Sequence, residues 1–126
     1  MASASKKMKI LVVDDEPGWR DFLSLELSAD DCEVITAPNA DQALEILRGQ
    51  SFDLVITDAR MPGKLDGIDL IQTYRSEKPG QKAIFLTGYA IEEKIQQALE
   101  EGIVLCLRKP FQSQDLSNAI QSLLGK

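Results

Sequence analysis

Residues 9–17, KILVVDDEP, decide the fold. Leu11, Val12 and Val13 are apolar at successive positions, so an extended chain here has no polar face and must be covered on both sides, like the central strand of a parallel sheet. The run stops at Asp14 and Asp15, and Pro17 suits the first position of a following helix, where its missing N–H is not needed. Three more apolar runs hand over to a polar group in the same way: DLVITD at Asp58, AIFLT at Thr87 and VLCLRK at Lys109. In a parallel sheet all four ends share one edge, and open α/β sheets bind ligands at that edge.

Outward from these runs, Trp19, Phe22, Leu23, Leu25 and Leu27 predict a helix with an apolar face, and residues 32–37 a short strand. Ala40, Ala43, Leu44 and Leu47 repeat at helical spacing, with Gly49 as the expected stop. Residues 53–58 form the third expected strand, and residues 59–67, ARMPGKLDG, a loop rich in Gly and Pro. Ile68, Leu70, Ile71 and Tyr74 mark the third helix, and residues 82–87 the fourth strand. Ile91, Ile95, Ala98 and Leu99 mark the fourth helix, residues 103–109 the fifth strand, and Leu116, Ala119, Ile120 and Leu123 the last helix. Strands alternating with helices require right-handed crossovers, which predicts a doubly wound α/β sheet of five parallel strands covered on both faces by five helices.

The 126 residues suffice for one domain, expected over residues 9–126 after a disordered tail at residues 1–8. A net charge of -6 argues against direct binding to nucleic acid or an anionic membrane, because phosphate neutralisation needs clustered Lys and Arg. The chain contains no His, which removes histidine bases, nucleophiles and zinc ligands; any phosphohistidine must belong to a partner. The opening MASASKK is polar and the apolar run behind it is too short for a secretion signal or a membrane span, so the expected location is cytoplasmic. Cys32 and Cys106 lack metal or redox spacing and read as small buried hydrophobes on separate strands.

Asp14, Asp15 and Asp58 meet at the polar edge, with Thr87 and Lys109 beside them. Two carboxylates ~4 Å apart repel by about 4 kcal/mol at an effective dielectric of 20, so three together need a cation or raised pKa values. Mg2+ suits an all-oxygen donor set that leaves positions open for water or a phosphoryl group. A carboxylate there can attack phosphorus, while a lysine and a hydroxyl take the remaining phosphoryl oxygens. Singly, each residue is ordinary: Asp15 a helix cap, Asp58 a strand-end aspartate, Thr87 a turn residue, Lys109 a surface charge. Their joint placement at successive strand ends is what points to phosphoryl chemistry.

At VVDDEP, ITDARMPG followed by DG, FLTGYA and LRKPF, in this order and spacing, the chain resembles the receiver domain of two-component response regulators from Lys9 to Leu124. The resemblance implies a three-layer flavodoxin-like fold with strand order 2-1-3-4-5 and a cis bond between Lys109 and Pro110. It implies that Asp58 is the phosphoacceptor and Mg2+ is held by Asp14, Asp15, Asp58 and the backbone carbonyl of Arg60, with Thr87 and Lys109 on the phosphoryl oxygens. The implied donor is a sensor histidine kinase or a phosphotransfer protein. The implied receiver of the signal is a downstream protein or output domain, reached through the face of helix 4, strand 5 and helix 5. That face also serves weak homodimers. Such a domain catalyses its own phosphorylation and slow dephosphorylation and is not a turnover enzyme. Three features depart from the commonest pattern. The loop MPGKLDG is one residue longer, Arg60 and Tyr89 occupy positions that vary and tune phosphoryl lifetime, and Cys106 stands where Tyr or Phe is usual.

Other readings fit less well. A flavodoxin-like cofactor binder would need a Ser, Thr or Gly-rich phosphate loop where this chain has Asp14, Asp15 and Glu16. A Mg2+-dependent phosphatase with an aspartyl nucleophile usually carries a second acid at the position of Arg60. A phosphorylation-independent interaction module of the same fold remains the alternative, distinguished by its failure to take up phosphoryl label.

Overall fold

The structure, a computed structural model, describes residues 7–88, 96 and 104–125. Its elements are β1 (Lys9–Val13), α1 (Pro17–Ala29), β2 (Glu33–Ala37), α2 (Ala40–Gly49), β3 (Leu54–Asp58), α3 (Gly67–Glu77), β4 (Ala83–Thr87), β5 (Val104–Arg108) and α4 (Ser113–Leu124). The five strands form one parallel sheet in the order β2-β1-β3-β4-β5. The strand limits agree with the sequence reading to within one residue at each end. The helix expected on Ile91, Ile95, Ala98 and Leu99 lies outside the described residues, as does Tyr89.

Ile10, Leu11, Val12 and Val13 are fully buried, as a run with no polar face requires. Alternation divides them between two cores. Leu11 and Val13 pack with Val55 and Phe85 under Ala43 and Leu47 of α2 and Ile68 and Ile71 of α3. Ile10 and Val12 pack with Ile56 and Ile84 under Leu23 and Leu27 of α1 and Leu116 and Leu123 of α4. The sheet is therefore the middle of three layers. Met8 joins the second core at its margin, and its carbonyl accepts from Glu33 N at 2.8 Å.

One local expectation is corrected. The five apolar residues assigned to one face of α1 do not share it: Leu23 and Leu27 are buried, whereas Phe22 is 36% and Leu25 74% exposed. At 100° per residue Leu25 falls about 160° from both leucines, so a single contact face cannot hold all three. Gly49 closes α2 as expected, as its last helical residue, and Gln50, in extended conformation, caps the end. The other ends follow their chemistry. Pro17 opens α1, the Asn39 side chain accepts from Gln42 N, and Gly125 closes α4 at φ 72 in the left-handed region that glycine tolerates.

Cys32 and Cys106 are both free. They lie at opposite edges of the sheet and pack on opposite faces, which keeps the thiols apart.

Candidate functional site

Register brings the polar strand ends together. Val13 pairs with Thr57, which sets Asp14 level with Asp58; Asp58 pairs with Leu86, and Thr87 with Arg108, so Thr87 follows one step and Lys109 two steps further along the same edge. The Lys109 backbone N–H donates to the Thr87 carbonyl at 2.7 Å, and the Lys109–Pro110 bond is cis, as the resemblance implied. Asp15, Glu16, Asp58, Arg60, Thr87, Gly88 and Lys109 line a cavity of about 380 Å³ at this edge.

Lys109 is the electrostatic centre of the site. Its ammonium donates to Asp14 Oδ2 at 2.9 Å and to Asp58 Oδ2 at 3.2 Å, while the Asp14 side chain is fully buried and those of Lys109 and Asp58 are 12% and 14% exposed. Burial pushes the Asp58 carboxyl above its ordinary value and the Asp14 charge adds to the rise; Lys109 and the Arg60 N–H, at 3.2 Å from Asp58 Oδ1, hold it back. For Lys109, burial lowers the ammonium pKa, but the hydrogen bond it donates to Asp14 and the charges of both aspartates outweigh it and leave the group above its usual value. The ammonium also stands over the indole of Trp19, with the ring centroid 4.6 Å from Nζ.

The backbone around the two aspartates is braced separately. Asp14 Oδ1 accepts from Glu16 N at 3.0 Å, and the Arg20 guanidinium donates to the Asp14 carbonyl at 2.6 Å. Gly67 sits so close to the Asp58 carbonyl that a Cβ there would lie 1.8 Å from the oxygen. The long loop before it is spanned by Arg60, whose guanidinium meets Asp66 Oδ2 at 2.5 Å, while Asp66 and Asp69 form a reciprocal capping box at the start of α3.

Asp14, Asp58, Thr87 and Lys109 are thus gathered as the sequence predicted. The acid that closes the cluster is Glu16: carboxylate oxygens of Asp14, Glu16 and Asp58 all lie within 4.8 Å of one another. Asp15 is exposed, lines the same cavity and is not part of that group. It does not cap α1 either, because Glu16 holds the cap position and makes no side-chain cap bond. Sequence reasoning named Glu16 only within the acidic run that disfavours a cofactor phosphate loop and gave it no ligand role, although the run of Asp14, Asp15 and Glu16 carried the signal. An all-oxygen donor set of this kind, partly buried and beside a lysine, fits a hard divalent cation such as Mg2+.

Comparison with known proteins places this geometry among relatives. The family model described as the response regulator receiver domain matches residues 10–121. The chain is 40% identical over 117 residues to an uncharacterised 14.6 kDa protein of Leptolyngbya boryana, covering 91% of this chain and 88% of that one. It superposes with a TM-score of 0.85 on the crystal structure of a response regulator receiver domain protein from Clostridium thermocellum, 38% identical, with 94% of each chain covered. It is also similar to the response regulator protein TrrA of Thermotoga maritima, solved in complex with Mg(2+)-BeF, at 34% identity and a TM-score of 0.79 over 93% of this chain and 99% of that one. Some curated relatives are longer: the chain spans 27% of the transcriptional regulatory protein GlrR of Escherichia coli, to which it is 33% identical.

Proposed function

The chain belongs to the response regulator receiver domain family, and from that premise we propose that it is a phosphorylation-dependent switch with Asp58 as the acceptor. The observation that carries this reading is the Lys109 ammonium held between the Asp14 and Asp58 carboxylates at 2.9 and 3.2 Å, in a cavity that also contains Thr87.

An Asp58 carboxylate oxygen attacks the phosphorus of a partner's phosphohistidine. The new O–P bond forms as the N–P bond breaks, and the imidazole leaves with the electron pair, its other ring nitrogen keeping the proton. Asp58 needs no base, because it reacts as the anion. Lys109 turns its charge from the carboxylates to the phosphoryl oxygens, and the Thr87 hydroxyl takes another of them. Asp14, Glu16 and Asp58, with Asp15 and the Arg60 carbonyl beside them, would hold Mg2+, which when bound supplies neutralising charge to the transferring group. The relative solved with Mg(2+)-BeF supports that assignment by likeness.

A receiver domain is a signalling switch rather than a turnover enzyme, so the product is a conformation. The donor is a histidine kinase or phosphotransfer protein. Its signal is read on the face shared by the predicted helix over residues 91–99, β5 and α4. No helix among the described residues is long and apolar enough to cross a membrane, and a cytoplasmic location accords with such a partner. Incubation with acetyl phosphate and Mg2+ tests the reading by intact mass: a gain of one phosphoryl group on Asp58 is expected, and a chain that gains none is an interaction module only.

A further inference from the structure

The Lys109 ammonium contacts two carboxylates and also stands over an indole, 4.6 Å from its centroid. The carboxylates hold the ammonium at rest, but phosphoryl transfer converts Asp58 to an acyl phosphate, a mixed anhydride, and redistributes the charge around it. The indole is a partner whose attraction for the ammonium does not depend on the state of Asp58. It can keep the ammonium in place while the anion in front of it changes.

The ring is itself fixed. Trp19 meets Phe22 edge-on, with centroids 5.7 Å apart and planes at 89°, and lies against Phe111 at 5.3 Å. Phe22 and Phe111 complete the triangle at 6.2 Å. Phe111 is two residues beyond Lys109, so the segment that carries the lysine also braces the ring above it. The packing of α1 on the sheet does not need this tryptophan, because Leu23 and Leu27 are the α1 side chains buried in the core. Packing alone would accept any large apolar residue at position 19. Contact with an ammonium asks for an aromatic face.

We propose that Trp19 is a positioning residue for phosphoryl transfer, its indole face holding the Lys109 ammonium in line for the phosphoryl oxygens. The proposal rests on Asp58 being the phosphoacceptor.

The test compares the full chain with Trp19→Phe and Trp19→Leu, following acetyl-phosphate labelling with Mg2+ by intact mass. Trp19→Leu is expected to lower the maximal labelling rate about five-fold, with the half-saturating acetyl phosphate concentration little changed, and Trp19→Phe to recover most of the loss. A second readout needs neither metal nor turnover. In protein carrying 13C at the lysine ε-carbons, the Lys109 ε-methylene protons, identified by their loss in Lys109→Arg, should lie upfield of the other lysines through the indole ring current. That shift should vanish in Trp19→Leu. A Lys109 signal among the other lysines overturns the contact. Labelling of Trp19→Leu at the parent rate, or a Trp19→Phe variant as slow as Trp19→Leu, overturns the positioning role alone. Absence of label from the parent chain overturns the phosphoacceptor reading, and this role with it.

Discussion

Lys109 Nζ stands 3.2 Å from Asp58 Oδ2 across a sequence separation of 51 residues, and the same ammonium is 2.9 Å from the fully buried Asp14 carboxylate. One cation thus serves two acids that the sheet register sets side by side. With the cation gone, the two charges would face each other with little water between them. The arrangement creates a demand for positive charge that a divalent ion can answer.

Lys109→Met should therefore destabilise the fold by about 3 kcal/mol at neutral pH, the scale for breaking one side of a buried pair. The loss should appear as a lower urea midpoint with an unchanged slope. It should shrink when Mg2+ is added, because the ion restores a counter-charge. A variant as stable as the parent would show that the ammonium does not compensate Asp14 and Asp58.

Asp58→Asn should take up no phosphoryl label, and it should also change the dependence of stability on pH. The carboxyl of Asp58 is raised above 3.8 in the folded state, chiefly by burial. The folded form therefore binds the proton more tightly than the unfolded chain does. The stability this contributes is complete below the unfolded value and is lost as pH rises through the folded one. At neutral pH the asparagine variant should unfold at a higher urea concentration than the parent, and the gap should close in acid. A gap that widens in acid would mean that Lys109 overcompensates burial.

The strand ends were legible because burial on both faces leaves a run such as LVV only one place in an α/β sheet, and Asp14, Asp58, Thr87 and Lys109 each follow such a run. Strand order came from the family resemblance, since alternation alone does not rank the strands. Glu16 was obscured because it lies three residues beyond the end of β1, where the sequence does not say whether a side chain turns back to the sheet edge. The Trp19 contact with Lys109 was hidden for a different reason. Helical spacing assigns a residue to a face of its own helix and says nothing of a cation arriving from β5, on the far side of the sheet order.

Gly67→Ala should be among the most damaging single-methyl changes in the chain. The added carbon would lie 1.8 Å from the Asp58 carbonyl oxygen and 2.8 Å from Thr57 Oγ1, neither of which is the loose end of a long side chain. Relief requires moving the start of α3 away from β3, at a cost of about 3 kcal/mol or more. Because the displaced carbonyl belongs to the proposed acceptor residue, labelling of Asp58 should slow as well. Parent-like urea unfolding of Gly67→Ala would mean that this close approach relaxes freely.

The small side chain of Cys106 bears on how the proposed switch would be read. It pairs with Phe85 in the β4–β5 register and packs, half-buried, against the core that holds Phe85. A large ring already fills that neighbourhood, and the thiol beside it is small. At ~25 cal/mol per Å², the few tens of Å² a thiol can bury or expose amount to at most about 1 kcal/mol, against a few for an aromatic ring. Driving a two-state equilibrium from 1:99 to 99:1 takes about 5.5 kcal/mol. Rotation of Cys106 is therefore too weak a lever, and displacement of Thr87 should be read out through the loop that follows it, beginning at Gly88 and Tyr89. With beryllofluoride and Mg2+ as the phosphoryl mimic, Tyr89→Ala should diminish the amide shifts over residues 91–99, while Cys106→Ala should leave them close to those of the parent. The opposite ranking would return the lever to β5.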